Sequence, residues 1–411
     1  MAARGGLRER RAPQPHLRHR RTAPRHEARK QHPIPGDSLT AQSSATRRPS
    51  HGNVGSAFAK ELFGRPAERK LKANIEKGLE RVETVLSDQV QYADKVAQVT
   101  TTYLLGAGGK RLRPMLVLLS AQLGPNSDSD AVLTAAAATE ITHLASLYHD
   151  DVMDEATLRR GVTAAHLRWS NSMAILAGDL LFARASQMFS HLGQDAIRLQ
   201  ATVFERLVLG QMHETIGPAE GEDRIDHYLR VLSDKTGSLI GAAAEYGVML
   251  SGAPQAFRGA LSDFGEGIGV AFQIVDDVID LSPTSEKTGK LAGTDLRAGV
   301  ETLPVLLLER RANGGDADAA DLLERIRTRV AGTAPGSADQ SFAREEPRGS
   351  DDPAEVDAII AELREHEVSK ETLEAAETHV ARAIESLEPL PSGVVKEALR
   401  EFADRLINRD F

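Results

Sequence analysis

The chain has 411 residues, 41% of them hydrophobic but only 4% aromatic, and a formal charge of −9. That length supports a large core, and the shortage of aromatic residues assigns it to Ala, Leu, Val and Ile, which suit closely packed helices. There is no cysteine, which excludes disulfides, thiolate metal sites and thiol catalysis and fits a reducing, cytoplasmic setting; the acidic balance argues against a nucleic-acid partner, and no apolar run reaches the roughly eighteen residues a membrane-spanning helix needs.

Residues 1–57 are rich in Arg, His and Pro and lack an apolar period. Such a segment cannot bury enough surface to offset the entropy of ordering, so it is expected to be a disordered basic extension. An organelle presequence is the lesser reading, because no amphipathic period accompanies the arginines. From residue 58 to 411 helical periodicity predicts a single all-α domain. "MLVLLSAQLG" after Pro114 reads as a helix ending at Gly124, and "DAVLTAAAATEITHLASLYHDDVMD" as one long helix. Further helices are predicted near 171–192, 196–216, 225–252, 255–281 and 302–312. No strand is predicted. Residues 312–355 read as an insert holding one short helix, with a mobile loop over 332–353, before amphipathic helices resume at about 354.

A short motif occurs twice. DDVMD at 150–154 and DDVID at 276–280 share the form D-D-x-x-D, and each follows an apolar helical stretch. On a helix the first and last Asp lie four apart, on one face. One such motif is as readily a solvated acidic helix end as a site. Two are harder to dismiss, because carboxylates near a helix C-terminus oppose the macrodipole at roughly 0.3–1 kcal/mol each and repel one another unless a cation intervenes. Oxygen ligands without Cys or His point to a hard ion such as Mg²⁺, which completes its shell with water and phosphate. Basic residues stand nearby in sequence. "GAGGKRLRP" places Lys110, Arg111 and Arg113 on a Gly-rich turn entering a helix, a suitable setting for a phosphate. Arg159 and Arg160 follow the first cluster, "SDKTGSL" supplies Lys235 and Thr236, and Lys287 and Lys290 follow the second cluster. Taken singly these are ordinary basic turns and caps. His143 lies seven residues before Asp150 on about the same helical face, and Gln273 one turn before Asp276; alone, each reads as a core or helix-surface residue.

Taken in order, "GGKRLRP", "HDDVMDEATLRRG", "AGDLLFARA", "SDKTGSL", "AFQIVDDVIDL", "TGKLAGTDL" and "TLP" resemble the all-trans polyprenyl diphosphate synthases, over about residues 60–411 apart from the insert. The resemblance implies an antiparallel helical bundle around a deep central cavity, usually a homodimer, with about three Mg²⁺ ions per active site. It implies that isopentenyl diphosphate is condensed with an allylic diphosphate by ionisation, attack and proton loss. It makes Asp150, Asp154 and Asp276 metal ligands, with Asp151, Asp277 and Asp280 assisting. It assigns Arg159, Lys235 and Lys290 to the allylic diphosphate and Lys110, Arg113, His143 and Arg160 to isopentenyl diphosphate. Thr236 and Gln273 are placed near the carbocation. Val300 stands where family members often carry a lysine, so one phosphate contact is missing or comes from elsewhere, such as Lys287.

Short-chain members place aromatic residues as a floor four and five positions before the first Asp. Here those positions are Ser146 and Ala145, and further turns back give Thr142, Ala138 and Ala135. Small residues leave open the volume a growing tail would fill. The expected product is therefore longer than C20, about C30–C50, with Met188 or Phe189 as the deeper stop and transient membrane contact at release; a geranylgeranyl-length product is the alternative. A terpene cyclase on the same fold is disfavoured by the second DDxxD and the basic segment, and a non-catalytic partner subunit or a structural cation binder by the two intact Asp motifs.

Overall fold

Helices dominate the computed structural model, which describes residues 68–282, 292–333, 350 and 352–407. The basic extension, Lys287, Lys290 and most of the expected 332–353 loop lie outside those residues.

In chain order, α1 spans Arg69–Gln89, α2 Lys95–Gly106, α3 Leu112–Ala121 and α4 Asp130–Met153. A short helix α5, Ala165–Arg168, leads into α6, Asn171–Ser190, and α7, Gln194–Ile216. Helix α8, Arg224–Leu232, runs through a π-helical turn, Ser233–Gly237, into α9, Ser238–Ser251. After α10, Phe257–Asp280, come α11, Thr294–Ala298, α12, Leu303–Asn313, and α13, Ala317–Arg325, which ends in a second π turn, Ile326–Val330. Helices α14, Pro353–Glu365, α15, Glu367–Ser386, and α16, Val394–Ile407, complete the described chain.

The core sits where α4 meets α3, α6 and α9, and where α10 meets α9 and α15. Helix α4 has buried apolar residues on all sides, Ala135 to Ala138 among them, the composition of a helix enclosed by others. Its start is set by Ser129, whose hydroxyl accepts from the amide of Val132 at 3.4 Å. Helices α9 and α10 cross at glycines. A Cβ on Gly265 would stand 2.7 Å from the carbonyl of Ile240 and from the Cα of Gly241, so the two backbones touch where any side chain would separate them.

Three local features depart from the sequence expectations. The predicted 225–252 helix is interrupted by the first π turn. Helix α3 starts at Leu112 rather than Pro114, because proline is tolerated throughout the first turn, where amides have no helical partner. An unpredicted two-residue antiparallel hairpin pairs Leu158 with Thr163 and Arg159 with Val162. Its loop is Arg160–Gly161, with φ of 53° and 77°, the pair of positive angles that a two-residue hairpin turn demands.

Candidate active site

The last turns of α4 and α10 carry the two acidic motifs, and the first π turn lies between them. Asp150 and Asp154 share one face at the end of α4. Burial pushes the carboxyl of Asp150 up to about 6, with Asp154 and Glu214 adding to the rise and Lys235 and Arg159 opposing it. Burial likewise raises Asp154, against Lys235. Asp151 is fully buried and turned away. It accepts a charge-assisted hydrogen bond from Arg159 Nε at 2.6 Å, while its Oδ2 has no hydrogen-bond partner among the described residues.

Lys235, on the π turn, pairs with Glu214 at 2.5 Å. The next residue, Thr236, donates its hydroxyl to Gln273 Oε1 at 3.3 Å. One turn therefore directs a cation toward the first acidic cluster and a hydroxyl toward the helix of the second. The extra residue of a π turn redirects side chains in this way and recurs at functional sites. The turn is held by Arg206 of α7, whose guanidinium binds Asp234 at 2.7 Å, Ser233 at 2.9 Å and both oxygens of Glu266 at 2.8 Å.

In the second motif Asp277 is the inward member. It accepts from Tyr228 Oη at 2.5 Å and the Leu303 amide at 3.3 Å. Burial raises its carboxyl to about 8 despite those bonds. Asp280 accepts the amide of Asp295 at 3.0 Å.

A second, basic group lies about two to three turns back along α4, beside His143 and Glu140. Arg160 binds the carbonyls of Gly108 and Leu104, the latter at 3.2 Å, so the Gly-rich turn wraps around it. Gly109 lets both guanidiniums come close, since a Cβ there would stand 2.6 Å from Arg111 and 3.1 Å from Arg160 and would displace them. Glu140, buried in α4, pairs with Arg111 at 3.1 Å and Arg160 at 3.7 Å. Arg113 is lowered to about 10 by burial, with Arg160 adding to the fall, and its Nε has no hydrogen-bond partner among the described residues. Burial and the nearby Arg113, Arg160, Arg159 and Arg111 hold His143 neutral, far below the usual histidine range. Clustered cations that depress one another form a site short of negative charge, suited to an anion.

The chain has counterparts among known proteins. The polyprenyl synthetase family model matches residues 94–332. The chain is 41% identical over 337 residues to the nonaprenyl diphosphate synthase of Mycobacterium tuberculosis, covering 82% of this chain and 94% of that one. The solved geranylgeranyl pyrophosphate synthase of Corynebacterium glutamicum, complexed with calcium and isoprenyl diphosphate, superposes with a TM-score of 0.69 at 38% identity, covering 84% of this chain and 98% of that one. A polyprenyl synthase of Caulobacter crescentus superposes with a TM-score of 0.70 at 30% identity, over 84% and 99%. The chain belongs to the polyprenyl synthetase family. It is an enzyme, a prenyltransferase that condenses isopentenyl diphosphate with an allylic diphosphate.

Within the enzyme the sequence-predicted residues fall into two neighbourhoods. Asp150, Asp154, Lys235, Thr236 and Gln273 gather around the π turn, and Arg113, Arg160 and His143 around the Gly-rich turn, which also carries Lys110. Arg159 and Arg160, adjacent in sequence, diverge at the hairpin. Ala145 and Thr142 are buried and Ser146 half-buried on α4. The Ala145 carbonyl faces Gly178 of α6, where a Cβ would stand 3.1 Å from it. Phe189 and Met188 are buried, and Phe189 stacks on Tyr246 with ring centroids 4.7 Å apart. Sequence reasoning missed Glu140, Glu214, Tyr228 and Arg206. Each acts on a site residue from a distant part of the chain, and only Glu140, a lone acid amid the alanines of α4, carried a local signal.

Proposed function

We propose that the enzyme makes an all-trans polyprenyl diphosphate longer than C20, using Mg²⁺ held by Asp150, Asp154 and Asp276. The observation that carries the metal assignment is the pair Asp150 and Asp154, stacked on one face with Asp150 raised to about 6. Burial is the main cause of that rise and the Asp154 charge a lesser one, and a bound cation would offset both. Among the described residues no three acidic or histidine side chains are placed to hold an ion by themselves. Mg²⁺ takes one or two carboxylates and completes its shell with water and diphosphate. Bound there, Mg²⁺ would supply charge neutralisation for a departing diphosphate.

The chain's own groups divide the remaining work. Lys235, and Arg159 braced by Asp151, face the allylic diphosphate. Lys110, Arg113, Arg160 and neutral His143 hold isopentenyl diphosphate, and Glu140 fixes the position of Arg160. Thr236 and Gln273 present a hydroxyl and a carbonyl oxygen beside the developing carbocation, where such dipoles stabilise positive charge. Lys290 is assigned to the allylic diphosphate by sequence alone. The small side chains of Ala145, Ser146, Thr142, Ala138 and Ala135 support the longer product, and the stacked Phe189–Tyr246 pair supports Phe189 as the deeper stop. We further propose a cytoplasmic homodimer that contacts membranes transiently at product release. No described helix is long and apolar enough to cross a membrane.

The test is incubation with farnesyl diphosphate, isopentenyl diphosphate and Mg²⁺, with mass analysis of the products. Products beyond C20 are expected; a C20 end product would reverse the length assignment. Asp150→Asn or Asp154→Asn should lower kcat by about 10²-fold or more, and activity within tenfold of wild type would remove that residue from the metal site.

A further inference from the structure

The second acidic motif rests on a segment with little regular structure of its own. Residues 293–303 contain the single-turn helix α11 and no more than the first residue of α12, and Val300 between them is 48% exposed. Yet this segment donates the Asp295 amide to Asp280 and the Leu303 amide to Asp277. What holds it is a closed ring of four charges. Glu301 accepts from Arg224 through one oxygen and from Arg327 through the other, the latter at 2.8 Å. Glu309 does the same, accepting from Arg224 at 2.5 Å and Arg327 at 2.7 Å. Burial favours the neutral form of Glu301, but the two guanidiniums outweigh it and keep the carboxyl below its ordinary range. The ring joins the start of α8, the 293–303 segment, α12 and the second π turn. A separate tie reaches the same segment from α14. Buried Arg297 donates to Asp357 at 2.5 Å and to the carbonyl of Ala292 at 2.8 Å, and its own carbonyl accepts from Gly332 at 2.9 Å.

We propose that Arg224 and Arg327 are positioning residues: with Glu301, Glu309 and the Arg297–Asp357 pair, they hold the 293–303 segment so that the second acidic motif is presented to a metal-bound diphosphate. The inference rests on the proposed metal site. The region after α12 thereby acts on that site, because the second π turn and α14 brace the 293–303 segment from behind. Planar guanidiniums suit this, since each bridges two carboxylates at fixed angles, which a lysine cannot do. A network of four is also harder to dissolve than isolated surface pairs.

The experiment titrates full-length enzyme with inorganic pyrophosphate in the presence of Mg²⁺ by calorimetry and measures KM for each substrate. Arg327→Met and Asp357→Asn are compared with Arg325→Met. Arg325 lies in the same region but pairs outward with Glu362 and Asp321. Arg327→Met and Asp357→Asn should weaken Mg²⁺–pyrophosphate binding about three- to tenfold, the range of indirect coupling through a packed network. They should raise KM for the allylic diphosphate while leaving KM for isopentenyl diphosphate unchanged. Arg325→Met should change neither. Arg327→Lys, which keeps the charge but not the fork, should fall between wild type and Arg327→Met, and it decides the question with Asp357→Asn if the methionine variant does not fold. Wild-type binding in Arg327→Met and Asp357→Asn overturns the proposal. So does an equal rise in both KM values, equal loss in Arg325→Met, or a wild type that binds no Mg²⁺–pyrophosphate. A wild type that binds Mg²⁺–pyrophosphate but forms no prenyl product would refute the proposed function and leave the positioning test intact.

Discussion

The two D-D-x-x-D motifs divide their carboxylates in the same way. Positions one and five lie along one helical face, while position two is rotated by about 100° and points inward. Asp151 accordingly meets Arg159, and Asp277 meets Tyr228. The spacing of each motif was legible in the sequence, but the partners of the inward members were not, because Tyr228 comes from a helix 49 residues away. Asp277 also sets a pH dependence. An unfolded carboxyl titrates near 3.8 and this one near 8 in the fold. Between those values the folded protein keeps a proton that the unfolded chain releases, so stability falls as pH climbs from about 4 to about 8. Asp277→Asn retains an oxygen for Tyr228 and the Leu303 amide and has nothing to ionise. In metal-free protein it should melt at higher temperature than wild type at pH 9, by about 1–3 kcal/mol, with little difference at pH 5. Calorimetric melting at both pH values checks this, and equal shifts at the two would rule out ionisation as the cause.

At the scale of elements, periodicity placed the long helices between about residues 171 and 312 within a few residues, since each buries an apolar stripe that its own sequence displays, but it did not single out α2, α5 or α11. The first π turn was not visible. Nothing in "SDKTG" distinguishes it from helix, and it is held by Arg206 and Glu266 from two other helices. It also depends on the close crossing of α9 and α10. Gly265→Val would drive a branched side chain into the backbone at Ile240 and Gly241. We expect a loss of about 1–3 kcal/mol and a fall in kcat, because the crossing carries Thr236 toward Gln273; a thermal melt with steady-state kinetics reads both. Helix α4 carries the residues proposed to set product size. Ala145→Phe and Ser146→Phe place a ring just before the first acidic motif and should shorten the longest product by at least one five-carbon unit, read by mass analysis. An unchanged product distribution would detach these residues from the tail's path.

Across the whole molecule, α6 and α7 carry apolar side chains that stand exposed among the described residues, including Leu176, Leu209 and Met212 at 55%, 40% and 50%. Exposed apolar groups on adjacent helices suit association of like subunits. Leu209→Glu with Met212→Glu should convert the expected dimer to monomer in sedimentation equilibrium, whereas a wild-type monomer at micromolar concentration would remove the homodimer from the proposal. The sequence by itself determined an all-helical chain, two acidic helix ends, a basic Gly-rich turn and small residues ahead of the first motif. Those are local facts, written in spacing, composition and the strictness of helical geometry. Only the tertiary structure decided which acids face outward and which brace a neighbour, that Arg159 and Arg160 part at a hairpin, and that Glu140, Tyr228 and the Arg224–Arg327 ring hold the site in place. Those outcomes depend on contacts between residues tens of positions apart, and a contact's partner is chosen by packing, which no short stretch of sequence contains.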